Sequence, residues 1–412
     1  MIPRPRYLQK MISLRDKHVI KVVTGIRRSG KSTLFKLFQE YLLGDGVFPK
    51  QIISLNMEDP AYRKLLTWEK LYDHIDAQLQ SDKKNYVFID EIQNVKDFQR
   101  AADGLFIKDN VDLYLTGSNS RIQSGKLATM LTGRYVKIHI LPLSFKEYVS
   151  AVGEDNMPQK FQKFLELGGF PQSLEFTEID DIKSYIESIY DTIVVRDISE
   201  SNNFRDISRL ERVIKFMADN IGKETSANNI ANTMLEDGIK INTRTVERYL
   251  KALCDSFILY RADRYDVRGK KLLKTLSKYY IADTGLRYTL LGDRQIDTGR
   301  MLENIVYLEL ARRNRKVYAG KMDVLHKVED ETGKVKNRYV QKEIDFVVEG
   351  GSGTEYYQVA QTVLDPVTLE RELSPLSAVS DHRPKYLLTL DALPVNDYNG
   401  IKQIYVLDWL LE

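Results

Sequence analysis

The chain has 412 residues, 43% of them hydrophobic and 29% charged, which suits a folded protein with room for two to four domains. Its 61 Lys and Arg against 58 Asp and Glu leave a net charge of +3, so bulk charge does not call for a polyanion partner, and any nucleic-acid surface has to come from local clustering. A single cysteine, Cys254, excludes an intrachain disulfide, and five histidines without paired His/Cys spacing speak against a structural metal.

The first residues, MIPRPRYLQKMISLRDKH, contain no continuous apolar core, and no later run reaches transmembrane length, so a cytoplasmic protein without membrane contact is expected. Next, HVIKVVTGIRRSGKSTLFKLFQEYL opens with a β-branched run, Val19 to Val23, that suits a buried parallel strand. Gly25-x-x-x-x-Gly30-Lys31-Ser32 follows, and then a helical pattern through Leu34, Phe35, Leu37 and Phe38. This is the P-loop spacing between a strand and a helix, so the whole loop, Gly25, Ile26, Arg27, Arg28, Ser29, Gly30, Lys31, Ser32 and Thr33, is assigned to ATP. Its backbone N–H groups would wrap a phosphate at the positive end of the helix, Lys31 would reach the β and γ phosphates, and Ser32 would coordinate Mg²⁺.

IISLNMEDP predicts another strand, and NYVFIDEIQNV a second buried one that ends in Asp90-Glu91. Acids at the carboxyl end of a parallel strand sit at the ligand crevice of an open α/β sheet. Asp90 is expected to hold Mg²⁺, mainly through water, and Glu91 to polarise the attacking water. VDLYLTGSNS ends a third strand with Thr116, Ser118 and Asn119, any of which could sense the γ-phosphate or merely cap the next helix. KIHILPLSF is read as the last strand of this sheet.

VVTGIRRSGKST, VFIDEIQN, YLTGSNS…LTGRY and ILPLSFKEY resemble the AAA+ ATPases, and more narrowly a bacterial and archaeal group with an AAA_14-type ATPase domain. The resemblance covers essentially the whole chain. It implies ATP and Mg²⁺ as cofactors, a homo-oligomer with a hexamer as one ring size, and a helical lid after the sheet. In that group the arginine of LTGRY, here Arg134, is a finger for a neighbour's γ-phosphate; a surface arginine is the other reading.

After Leu143 the period becomes helical in FQKFLELGGFPQSL and IKSYIESIYDTIVVRDI, with GGFP breaking the pattern and resembling the group's signature. Arg196 and Asp197 in the second run are read as a salt bridge or as nucleotide sensors. RLERVIKFMADNIGKETSANNIANTMLEDGIKINTRTVERYLKALCDSFILYRADRYD then reads helix, turn, short helix, turn, helix and two strands, FILYRADRYD being the first wing strand, with Ser226 and Asn242 or Thr243 as caps. This looks like a winged helix-turn-helix whose RTVERYLKAL helix would enter a major groove. Arg244, Arg248 and Lys251, with Lys270 and Lys271 beyond the helix, are the candidate DNA contacts. Winged helices also dock proteins, and Glu247 and Asp255 dilute the positive face.

In the last third a buried helix with Glu303 near its start precedes strands around 316–319, a charged hairpin through 329–336, EIDFVV and YYQVAQTV. That order resembles the PD-(D/E)xK nuclease fold and the DUF4143-type domain fused to this AAA+ group. The resemblance puts Glu303 and Asp345 at two metal ligands, but Gln358 at the strand acid and Ala360 at the lysine. A neutral amide and an alanine leave an expected vestigial site that does not cut.

The expectation is an α/β chain: a P-loop AAA+ (ASCE) parallel sheet over 1–145, a helical lid over 146–205, a winged helix over 206–268 and an inactive PD-(D/E)xK-like α/β domain over 269–412. The expected function is a Mg²⁺-dependent ATPase with Glu91, Lys31 and Arg134 catalytic, acting on DNA as a motor or switch. Open alternatives are an ATP-driven protein-interaction switch in signalling or defence, with a protein partner, and an active ATP-dependent nuclease.

Overall fold

A computed structural model of the chain describes residues 1–117, 133–200, 202, 204, 206–292, 297–313, 315–329, 335–351, 353–392 and 396–412. Five strands, β1 (Ile20–Thr24), β2 (Ile52–Asn56), β3 (Asn85–Asp90), β4 (Val111–Gly117) and β5 (Tyr135–His139), form a wholly parallel sheet in the order β2-β3-β4-β1-β5. β1, β3 and β4 are buried at every residue, as their apolar runs require when helices cover both faces. α1 (Pro5–Leu14) and α2 (Lys31–Gly44) pack Met11, Leu34 and Phe38 on one face, with Phe88 and Tyr114. α3 (Trp68–Asp76) and α4 (Phe98–Phe106) pack Leu71, Ile75 and Leu105 on the other, with Val22 and Ile89. Lys21 interrupts the β1 run; it is fully buried and tolerated because its ammonium is paired with Asp112 of β4. β4 lies between β1 and β3, the expected ASCE order, and it separates the P-loop strand from the acid-bearing strand.

The middle of the chain is helical: α5 (Phe145–Val152), α6 (Met157–Leu167), α7 (Ile179–Asp191), a π-helical stretch Thr192–Glu200, α8 (Ile207–Asp219), α9 (Ala227–Glu236) and α10 (Thr243–Asp255). Side-chain caps set four starts, that of α8 through Asp206, which accepts from Arg209 N. Ser144 and Glu147 form a capping box on α5, Ser226 accepts from Asn229 N on α9, and Asn242 rather than Thr243 caps α10 through Thr245 N.

A second sheet of eight strands follows, β6 (Leu259–Asp266), β7 (Lys271–Ile281), β8 (Lys316–Glu329), β9 (Val335–Gly350), β10 (Gly353–Ala360), β11 (Lys385–Thr389), β12 (Asn396–Tyr398) and β13 (Ile401–Tyr405). Its order is β12-β13-β11-β10-β9-β8-β6-β7. α11 (Thr284–Leu291), α12 (Thr298–Arg312), α13 (Pro366–Ser377) and α14 (Val406–Leu411) complete it. β6, read from sequence as a first wing strand, pairs with β7, and this hairpin is hydrogen-bonded into the sheet through Arg264–Asp266 against Ala319–Lys321. The position 268/269 falls in the turn of that hairpin. The middle helices and the second sheet share one apolar core, from Ile26 and Leu141 through Leu210, Leu253 and Tyr280 to Trp409.

Candidate nucleotide site

The carboxyl ends of β1, β3 and β4 deliver the chemistry to one crevice. After β1 the loop must turn sharply against the chain that leaves β5. A Cβ at Gly25 would lie 2.2 Å from the carbonyl oxygen of Ile140, so only glycine fits. Ile26 turns inward into the large core and ties the loop to the helices beyond the sheet. Arg28 takes a left-handed conformation with φ of 65°, and α2 begins at Lys31 directly after Gly30. The Lys31 ammonium rests on the Gly25 and Ile26 carbonyls at 3.3 and 3.2 Å. Burial lowers its pKa against the opposing pull of Glu91 and Asp90. The Ser29 hydroxyl is buried with no hydrogen-bond partner among the described residues.

Asp90 ends β3 and accepts hydrogen bonds from the hydroxyls of Ser32 and Thr116. Burial raises its pKa, the two hydroxyls oppose this, and adjacent Glu91 adds to the rise. Thr116 also accepts from the Glu91 N–H at 3.0 Å, so it aligns both acids. Glu91 has a left-handed backbone with φ of 52°, and its carboxylate accepts from Gln93. A cavity of about 690 Å³ opens here, lined by Lys31, Ser32, Thr33, Asp90 and Glu91 on one side and by Ser150, Pro171 and Gln172 on the other. An unpartnered buried hydroxyl, an ammonium held by long bonds to carbonyls and a serine–aspartate pair suit a polyphosphate with its Mg²⁺.

Arg4 was not singled out by sequence reasoning, and the partners of Arg27 and Asp197 were not foreseen. Arg4 is buried and donates to Ser29 O at 3.0 Å, Leu141 O at 2.7 Å and Glu147 Oε1 at 2.9 Å, bracing the P-loop from the N-terminal segment. Arg27 bridges Asp197 at 3.3 Å and Glu58 at 3.6 Å, so Asp197 reaches the P-loop from the π-helical stretch. Only a buried-strand or loop context, invisible in local spacing, distinguishes Arg4 from a surface arginine.

Residues 17–149 match the family model of an AAA domain (AAA_14), and residues 158–297 match a domain of unknown function (DUF8612). An uncharacterized protein of Haemophilus influenzae is 36% identical over 417 aligned positions that span all of this chain and 99% of that protein. The chain belongs to this family of AAA-domain proteins. An uncharacterized protein of Methanocaldococcus jannaschii is 27% identical over 94% of this chain and 85% of its own length. The Walker-type ATPase PABY2304 of Pyrococcus abyssi aligns with a TM-score of 0.47 and 17% identity over 70% of this chain and 96% of that one.

The remaining candidates of this AAA-domain chain divide by position. Ser118 and Asn119 lie outside the described residues. Arg134 is exposed, stacks on the Phe106 ring at 5.7 Å and does not line the cavity. On α10, Arg248 lies over Phe204 at 5.3 Å and Lys251 pairs with Asp255 at 2.8 Å, whereas Arg244 is exposed, as are Lys270 in the hairpin turn and Lys271 at the start of β7. The structure brings Glu303 and Asp345 together, though through an unforeseen third residue, Lys278 of β7. Gln358 turns its amide to the Asp345 backbone N–H, at 3.3 Å, and to Glu372 Oε2, at 2.9 Å. No group of three or more His, Cys, Asp or Glu side chains among the described residues is arranged to hold a metal.

Proposed function

We propose that the chain is a Mg²⁺-dependent ATPase that acts as an oligomeric DNA-binding switch or motor. The convergence of Lys31, Ser32, Asp90, Glu91 and Thr116 in one cavity carries the ATPase reading. Ser32 and Asp90 would hold the Mg²⁺ that accompanies ATP, and that ion would offset phosphate charge. Lys31 exchanges its carbonyl contacts for phosphate oxygens, and Glu91, aligned by Thr116 and Gln93, orients the attacking water.

Helices α8, α9 and α10, the Thr225–Ser277 bridge and the β6–β7 hairpin follow one another in winged-helix order, which supports a nucleic-acid grip. Exposed Arg244, Lys270 and Lys271 supply the phosphate contacts. The engagement of Arg248 and Lys251 inside the module favours a second reading, in which the same face docks a protein. ATP turnover measured with single-stranded, duplex and branched DNA separates the two. A rate that climbs with one DNA form, and falls back in Arg244→Ala, supports the first. A flat rate with all forms, alongside salt-sensitive background binding, supports the second.

A further inference from the structure

The carboxylates of Glu303, Glu343 and Asp345, from two elements, converge on one ammonium. Lys278 Nζ lies 3.0 Å from Glu303 Oε1 on α12, 2.5 Å from Glu343 Oε1 on β9 and 3.7 Å from Asp345 Oδ1 on β9. The Lys278 side chain is only 4% exposed. Tyr280, two residues along β7, donates to the same Glu303 oxygen at 2.7 Å, and the second Asp345 oxygen accepts from Val359 N at 2.9 Å. Burial opposes the charge on Lys278, yet the acids together raise its pKa, so it stays an ammonium. Burial and the neighbouring Glu303 push the Asp345 carboxyl upward.

A nuclease centre of the expected kind would turn these same oxygens to a divalent cation. Mg²⁺ needs oxygen ligands at about 2.0–2.1 Å in an octahedral shell. Here the inward oxygens already bond an ammonium at charge-assisted hydrogen-bond distances. Gln358 spends both ends of its amide on Asp345 N and Glu372, and Ala360 is buried with no polar group to contribute. A metal does not fit this cluster.

We infer that Lys278 is a built-in counter-ion standing where a divalent cation would otherwise sit, and that it turns the Glu303–Glu343–Asp345 cluster into a lock fastening the β6–β7 hairpin to α12 and β9. The lock adds a buried ionic clamp to the backbone pairing that already holds the hairpin to β8. It does not depend on what the front sheet hydrolyses. The test is thermal unfolding without nucleotide, with and without millimolar Mn²⁺. Wild type and Asp345→Asn respond equally to Mn²⁺, because the cluster takes none. Lys278→Met melts several degrees lower than wild type, regains most of that loss with Mn²⁺, and loses the rescue when Asp345→Asn is added. Lys278→Arg keeps a cation in place and ignores Mn²⁺. A wild-type rise with Mn²⁺ that disappears in Asp345→Asn overturns the inference, as does a folded Lys278→Met that gains nothing. Should Lys278→Met fail to fold, the comparison of wild type with Asp345→Asn still decides.

Discussion

At the scale of single residues the two acids after β3 divide their work by position. Asp90 is tied to Ser32 and Thr116, which suits it to a cation, whereas Glu91 is held by its own N–H on Thr116 and by Gln93 beside the cavity. Lys31→Ala is therefore expected to lose ATP hydrolysis altogether, measured as phosphate release, because among the described residues no other lysine lines the cavity. Glu91→Gln keeps the cradle and should still bind ATP while turning over about 100-fold or more slowly, the usual loss for a positioned base. Equal turnover of Glu91→Gln and wild type would remove Glu91 from that role.

At the scale of elements, the GGFP turn is the joint between the nucleotide crevice and the rest of the chain. Pro171 lines the cavity, and Gly168 packs so closely on Asp283 that a Cβ would lie 1.8 Å from its Oδ1. Asp283 caps α11 through Gly285 N at 2.9 Å and also accepts from Gly169 N at 2.6 Å. Burial pushes its carboxyl up to about 7 despite these N–H groups. The native state thus keeps a proton that the unfolded chain releases near pH 4, so the stabilisation is complete below about pH 4 and is lost as the pH rises through about 7. Asp283→Asn cannot titrate, and its amide opposes the Gly169 N–H at a cost of about 1–3 kcal/mol. Urea denaturation across this range should show wild type losing its advantage over Asp283→Asn as pH rises. A difference that stays constant from pH 4 to 7 would mean that Asp283 ionises normally.

At the scale of the whole molecule, the same core that holds Ile26 of the P-loop reaches Trp409 of α14, and Lys146 on α5 donates to the Glu412 carbonyl at 3.0 Å. A change at the phosphate cradle therefore presses on packed helices rather than on a flexible linker. Arg134 is outside its own cavity, an arrangement that suits a residue acting on a neighbouring subunit. If it does so, Arg134→Ala and Lys31→Ala should each be inactive alone, and mixing them should restore part of the ATPase rate, since mixed pairs place an intact Arg134 against an intact P-loop. No recovery on mixing would make Arg134 a surface residue held by Phe106.

The P-loop, the Asp90–Glu91 pair and the five parallel strands were legible in the sequence, because each depends on short-range rules. Buried parallel strands need unbroken apolar runs, and a phosphate cradle needs glycines at set intervals between a strand and a helix. The helix caps at Ser226 and Asn242 were legible for the same reason, since a cap bonds only two or three residues ahead. Tertiary structure alone decided that Arg4 braces Ser29, that Asp197 reaches Arg27, and that Lys278 enters the carboxylate cluster. Ion pairs form through space between residues that the fold brings together, and a charge in a sequence carries no mark of its distant partner. The pairing of Glu303 with Asp345 could be anticipated only from a resemblance, while the lysine between them came from β7, a strand on which no residue had been singled out as a partner.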